Sequence, residues 1–183
     1  MTAHSRLHLR AVSAPSDADD GPPDLDEAFR RYSGYVATIA WRMLGSDDEV
    51  DDVVQDVFLE ALRGLQHLRE PEALKGWLAT VTVRVASRRL RRRRLWRWLG
   101  LDEMAGAAEP VAPGASPEQQ ALLAGLYRAL DDVPVSERVA WTLRHLEGCS
   151  LDEVARLCRC SLATAKRRVA AVQRLLERKV HHD

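Results

Sequence analysis

The sequence predicts an all-α protein: two small helical domains joined by a flexible linker, the second ending in a helix-turn-helix. Three observations carry this. Apolar residues recur at three-to-four spacing along the segments between breakers. Gly, Pro and Ala interrupt that periodicity in mid-chain, over residues 99–116. Residues 150–178 read as a short capped helix, a tight turn and a long basic helix. The length of 183 residues suits one ordinary domain or two small ones.

Residues 1–23 are polar, with Pro15, Pro22 and Pro23, and are expected to form a disordered tail. They lack the apolar core of a signal peptide, and no apolar run approaches a membrane span. The expected location is the cytoplasm, without membrane insertion. The first domain, residues 24–98, opens where Asp24 can cap a helix with Glu27 at the matching third position. Phe29, Tyr32, Val36, Ile39, Ala40 and Met43 continue that helix to Gly45. Ser46 with Glu49 predicts a capping box for a helix through Val50, Val53, Val54, Val57, Phe58, Ala61 and Leu62, stopped at Gly64. A loop over residues 65–75 follows. Trp77, Leu78, Val81, Val85 and Leu90 then mark a long helix ending in an arginine cluster. Val81, Val83 and Val85 also alternate as a strand would, but length and flanking helix formers favour helix.

After the linker, the second domain, residues 117–183, starts well. Ser116 can cap, Pro117 takes the first helical position and Gln119 the third. Leu122, Leu123, Leu126, Ala129 and Leu130 follow. Pro134 opens a further helix with Val139, Ala140, Leu143 and Leu146 inward, ending at Gly148. Ser150 and Glu153 form the next capping box, Arg159-Cys160 the turn, and Ser161 the cap of the last helix. There Leu162, Ala165, Val169, Val172 and Leu176 make the core face. Thr164, Arg167, Ala170 and Arg174 face out, flanked by Lys166 and Arg168. A small, basic outer face suits a DNA major groove; a plain helical hairpin would also be polar outside.

The net charge of zero hides segregation. Residues 46–60 carry Asp47, Asp48, Glu49, Asp51, Asp52, Asp56 and Glu60 with no Lys or Arg. Residues 84–97 carry Arg84, Arg88, Arg89, Arg91, Arg92, Arg93, Arg94 and Arg97 with no acid. This suggests two charged partners, or one partner touched in two ways. Either stretch alone reads equally well as a solvated helix face.

The ordered pair of motifs decides more than either part. Asp51-Asp52-Val53-Val54-Gln55-Asp56-Val57-Phe58-Leu59-Glu60-Ala61-Leu62 precedes a Trp-bearing basic helix. Later come Val133-Pro134 and Leu143-Arg144-His145-Leu146-Glu147-Gly148-Cys149-Ser150-Leu151-Asp152-Glu153-Val154-Ala155. Over nearly all of residues 28–178 the chain resembles bacterial RNA polymerase sigma factors of the extracytoplasmic-function type. The resemblance implies that the acidic helix docks on core RNA polymerase through Asp52, Gln55, Asp56, Phe58 and Leu59. Reversing Asp52 and Asp56 is then expected to weaken polymerase binding with the fold intact. It implies that residues 77–92, with Trp77, Arg84, Arg88, Arg89, Arg91 and Arg92, approach the promoter minus-10 element, His67 and Arg69 in the preceding loop holding an unstacked base. Core packing is the competing reading of Trp77. The last helix would read the minus-35 element through Thr164, Lys166, Arg167, Arg168, Ala170 and Arg174. The family usually has Asn and Asp where this chain has Arg84 and Arg88, which shifts that face toward phosphate contact. It often has Gly at the position of Arg159, so a positive φ there would cost this chain about 1 kcal/mol.

An anti-sigma factor is a further implied partner. The alternatives are a free-standing helix-turn-helix regulator and a protein-binding decoy with the same fold. Nothing resembles a phosphate loop, nucleophile elbow or metalloprotease helix, so no enzyme activity, cofactor or small-molecule substrate is expected. His145, Cys149, Cys158 and Cys160 could suggest zinc. The single residue between Cys158 and Cys160 fits a structural site poorly, and no metal is expected.

Overall fold

The computed structural model describes residues 25–64, 73–101 and 114–180. Among them the secondary structure is entirely helical: α1 (Leu25–Leu44), α2 (Val50–Gly64), α3 (Leu74–Trp98), α4 (Pro117–Asp131), α5 (Val135–His145), α6 (Leu151–Leu157) and α7 (Leu162–Val180). The tail, most of the linker, and the loop carrying His67 and Arg69 lie outside the described residues.

In the first domain, α1 turns Tyr32, Val36, Ile39 and Met43 inward against Val53, Val57 and Phe58 of α2. Gly45 ends α1 with φ of 77°. A Cβ there would also collide with the ring of Tyr127, so glycine answers two demands at once. The capping box expected from Ser46 and Glu49 does not form. Ser46 is buried and its Oγ accepts from Arg93 Nη2 at 3.0 Å, while the Glu49 carboxylate turns to arginines of α3. A guanidinium that needs several acceptors has displaced the local motif.

The long helix α3 buries Leu78, Ala79, Val81, Thr82, Val83, Val85 and Ala86 almost all round. That explains the strand-like valine alternation: a helix apolar on every side is a central helix. It packs on α1 and α2 on one side and on α5 and α6 on the other. It starts earlier than its first aromatic, at Leu74, and runs beyond the arginine cluster to Trp98.

In the second domain, the boxes at Ser116–Gln119 and Ser150–Glu153 both form. Ser150 Oγ accepts from the Glu153 amide at 3.2 Å and the Ser150 amide donates to the Glu153 carboxylate at 2.7 Å. Between α6 and α7, Arg159 has φ of 49°, the one positive value at a non-glycine among the described residues. The Cys160 amide donates to the Ala155 carbonyl at 2.9 Å, the closing bond of a turn that usually has glycine where Arg159 stands.

The two domains share one continuous apolar core. Polar anchors fix the seam. Arg138 on α5 is 3 % exposed and donates to the carbonyls of Met43 and Leu44, at 3.1 and 3.0 Å, and to Asp131 at 2.6 Å. Those carbonyls end α1, where the helix dipole is negative. Tyr127 Oη donates to the Arg42 carbonyl at 2.8 Å, Arg42 pairs with Glu147 at 3.1 Å, and Arg94 donates to the Val133 carbonyl at 3.0 Å. Burial pushes the Glu147 carboxyl above its ordinary value, with Arg42 only partly opposing.

Candidate partner groove and nucleic-acid interface

On the first domain, the outer side of α1 and α2 forms an open apolar groove. Leu25, Phe29, Val54, Phe58, Leu59 and Leu62 line it, with Asp51 and Gln55 at the rim. Phe58 itself is 6 % exposed and lies under Phe29, ring centroids 4.9 Å apart. The apolar surface offered to a partner is therefore Phe29, Leu59 and Leu62, at 46, 51 and 54 % exposure. Phe29 and Leu62 carry the expected helical pattern yet are not core. Phe29 stands one residue off the stripe that Ala28, Tyr32 and Val36 bury. That offset was the available signal.

The acids of α2 and the arginines of α3 find one another. Glu60 accepts from Arg84 and, at 2.8 Å, from Arg88. Arg89 donates to Asp56 at 2.8 Å, Asp52 at 3.2 Å and Glu49 at 3.0 Å. Arg93, 7 % exposed, donates to Glu49 at 2.6 Å, to Ser46 and to the Leu44 carbonyl. The charge segregation is thus largely an internal ladder between antiparallel helices. It was legible as two stripes of three-to-four spacing, 49-52-56-60 and 84-88-89-92-93, running in opposite order. Burial works against the Glu49 carboxylate, but hydrogen bonds and charge from Arg93 and Arg89 outweigh it and hold its pKa below the ordinary value. Asp52 and Asp56 stay largely open to solvent although Arg89 holds one oxygen of each. Reversing both would set two new cations against a guanidinium only 13 % exposed, so the fold would not be left untouched.

Trp77 is half-buried and packs against Gly64, whose missing Cβ would approach its ring to 2.6 Å. The competing core reading therefore describes its position. Arg91 is exposed, and Arg92 lies over the Trp96 ring at 4.8 Å while reaching Glu49 at 3.3 Å.

On the second domain, Ala165, Val169 and Val172 face the core. Lys166, Arg167 and Arg174 are exposed; Thr164, Arg168 and Ala170 are half-buried. Ser161 Oγ caps α7, accepting from the Thr164 amide at 3.2 Å. No carboxylate among the described residues pairs with Lys166, Arg167, Arg168 or Arg174. Cys149 and Cys158 are half-buried, and burial pushes both thiols to about 11, which leaves them protonated and weakly reactive near neutrality.

Comparison with known proteins fits this two-part layout. The Sigma-70 region 2 family matches residues 28–95, and the Sigma-70 region 4 family matches residues 123–175. The chain belongs to the extracytoplasmic-function (ECF) sigma factors. It is 31 % identical over 160 residues to the ECF RNA polymerase sigma-E factor of Escherichia coli K12, covering 82 % of this chain and 83 % of that one. It is 30 % identical over 151 residues to the ECF sigma factor SigE of Mycolicibacterium smegmatis, covering 80 % of this chain but only 58 % of that longer relative. Among solved structures, the sigma factor RpoE of Bartonella quintana, in complex with the anti-sigma factor NepR, superposes with a TM-score of 0.62 at 22 % identity. It covers 87 % of this chain and 98 % of its own. The ECF fold thus spans both helical domains. No helix among the described residues is long and apolar enough to cross a membrane.

Proposed function

We propose that this ECF chain binds core RNA polymerase through the α1–α2 groove and promoter DNA through α7 and the solvent side of α3, and so starts transcription without catalysing any step itself. One observation carries the reading. A single chain pairs an apolar groove rimmed by Asp51 and Gln55 on one domain with a helix on the other whose Lys166, Arg167, Arg168 and Arg174 have no carboxylate partner among the described residues. Phe29, Leu59 and Leu62 supply the contact area, and Asp51, Asp52, Gln55 and Asp56 supply register and steering toward a basic helical partner. Arg167 reaches base edges or adjacent phosphates in the minus-35 element, with Thr164, Lys166, Arg168, Ala170 and Arg174 around it. Arg84, Arg88, Arg91 and Arg92 lie toward minus-10 DNA as phosphate contacts, with Arg89 held back by its carboxylates. Residues 24–98 and 117–183 are the two working domains, the cytoplasm is the site of action, and an anti-sigma factor is the expected regulator.

The minus-10 and minus-35 elements lie about 85 Å apart along straight B-DNA at 3.4 Å per base pair. Helix α3, with its 25 residues, spans only about 37 Å at 1.5 Å each. Arg84 and Arg91 of α3 share the lining of one cleft of about 280 Å³ with Arg168 of α7, so the packed arrangement holds the two DNA-facing helices far closer than the two elements, and engagement of both requires the Arg138 seam to open.

Transcription in vitro, with core polymerase and the DNA upstream of the chain's own gene, tests the reading. The intact chain should yield a discrete promoter-dependent transcript. Leu59→Glu with Leu62→Glu should lose core binding at least about tenfold, the scale of burying uncompensated charge at an interface. Arg167→Ala should keep core binding and lose promoter selectivity. A transcript level unaffected by either change would remove the assignment.

A further inference from the structure

Where α3 meets α5, α7 and the end of α6, the two domains form a cleft of about 280 Å³. Arg84 and Arg91 enter it from α3, Arg159 from the turn before α7, and Arg168 from α7. Thr80 and Ser136 add hydroxyl-bearing side chains, and no carboxylate lines it. Of the four guanidinium groups only Arg84 has an acidic partner, Glu60, which it shares with Arg88. Among the described residues no carboxylate pairs with Arg91, Arg159 or Arg168.

Folding does not normally collect like charges around one cavity, because they repel at short range. Elsewhere on α3 this chain matches each inward arginine to a carboxylate, as Arg89 and Arg93 show. In the cleft only Arg84 is matched in this way, and Arg91, Arg159 and Arg168 are not. Burial and the neighbouring charges of Arg159 and Arg88 lower the pKa of Arg84, which reports the same crowding. Arg159 moreover keeps a charged side chain in a left-handed conformation where glycine would be free of strain.

We propose that the interdomain cleft is a binding site for a compact multivalent phosphate anion, of the di- or triphosphate class, held by Arg84, Arg91, Arg159 and Arg168. Forked guanidinium groups match phosphate oxygens in pairs, and the Ser136 hydroxyl adds a donor, whereas that of Thr80 is committed to the Gly76 carbonyl. The cleft favours a small free anion over a nucleic-acid backbone. A duplex whose major groove alone is about 12 Å wide cannot enter a concavity of this size. Because the arginines come from both domains, a bound anion ties α3 to α7. It stabilises the packed arrangement and withholds Arg168 from DNA. The site stands on geometry independent of the polymerase reading; only its consequence for transcription rests on that reading.

The test needs neither polymerase nor promoter. Inorganic tripolyphosphate is titrated into the full chain by calorimetry at fixed ionic strength, and the unfolding midpoint is followed in parallel. The expected result is saturable one-to-one binding and a midpoint raised by about 5–10 °C at a hundredfold excess over the dissociation constant. Arg91→Gln with Arg159→Gly should weaken binding at least about tenfold, since two charge-assisted contacts are lost. Both positions are exposed and the second change relieves strain, so the fold should persist. Arg128→Gln, an exposed cation on α4 outside the cleft, should leave binding unchanged. Absence of saturable binding would overturn the proposal, as would equal binding by the double variant or an equal loss in Arg128→Gln. Binding of a random-sequence duplex but not of tripolyphosphate would assign these arginines to nucleic acid instead and overturn it too.

Discussion

The arginines of α3 and those of α7 are the same side chain in two different employments. On α3, Arg89 and Arg93 are nearly buried and each is fastened to carboxylates of α2, so their charge is consumed in joining two helices. On α7, Arg167 and Arg174 are exposed with no acidic partner among the described residues. Local density of positive charge does not separate the cases; α3 is the more basic helix. What separates them is whether a stripe of acids with matching spacing lies on the helix packed alongside. Binding capacity for an outside anion belongs to the arginines that the fold leaves unpaired.

The sharpest way to break this contrast is to remove one arginine from each group. Arg93→Ala should cost the fold about 1–3 kcal/mol, because buried Ser46 loses its donor while Glu49 keeps only Arg89 and Arg92 and the Leu44 carbonyl keeps only Arg138. Urea unfolding measures it. A loss below about 1 kcal/mol would mean that this group is no more structural than a surface pair.

Arg167→Ala should do the reverse. Stability should stay within about 0.5 kcal/mol, the ordinary range for an exposed substitution. Affinity for minus-35 DNA should fall by about 1–3 kcal/mol if the guanidinium grips a base edge. A loss uniform over promoter variants would make it a phosphate contact. The salt dependence sharpens the same contrast on α3. Neutralising Arg88, Arg89, Arg91 and Arg92 together would lower the slope of log affinity against log salt by roughly 3–4 if all four met phosphate. With Arg89 withheld by three carboxylates and Arg88 and Arg92 partly neutralised by Glu60 and Glu49, the expected drop is about 1–2. A drop of four would show that the ladder opens on DNA.

The ladder also explains what could and could not be read in advance. Helix order and the two capping boxes of the second domain follow from local rules, because caps are settled within a few residues, whereas a left-handed φ at Arg159 was suggested only by the glycine that the family often has there. The failed box at Ser46 and Glu49 followed the same local rule, but a guanidinium 44 residues away on α3 captured the acid. Likewise Phe58 fits a contact motif, yet Phe29 covers it from another helix. The outward position of Lys166, Arg167 and Arg174 on α7 was legible because helical spacing alone sets them opposite the core stripe. The cleft between α3 and α7 was not, since it exists only where two domains meet. Each miss lies where tertiary pairing overrode a short-range pattern.

Acid titration distinguishes two carboxylates that face arginines in different settings. Glu49 is held below its ordinary pKa, so its contribution is present above the unfolded value and is lost as pH falls through the lower folded one. Glu147 at the domain seam is raised. Its charged form opposes packing, so the packed arrangement should gain as pH drops from neutrality through that raised value. Glu49→Gln should flatten the acid limb of stability, and Glu147→Gln should remove the gain. Identical pH profiles for both variants would refute the assignment of opposite signs.

The smallest expected effect concerns Arg159, the arginine that tests the contrast from the backbone side. Its left-handed φ of 49° costs a residue with a Cβ about 1–2 kcal/mol, whereas glycine there loses some of the advantage through greater freedom in the unfolded chain. Arg159→Gly should therefore stabilise the protein by a net of about 0.5–1 kcal/mol, seen as a higher denaturation midpoint at unchanged slope. The side chain is exposed, and relief of its repulsion with Arg84 acts in the same direction. Arg159→Ala separates the two contributions: it removes the charge but keeps the strained Cβ. If alanine stabilises as much as glycine, charge crowding in the cleft dominates; if only glycine does, the backbone does. A loss of stability with glycine would mean that the Arg159 side chain makes contacts outweighing both, and that this arginine belongs with the paired group of α3.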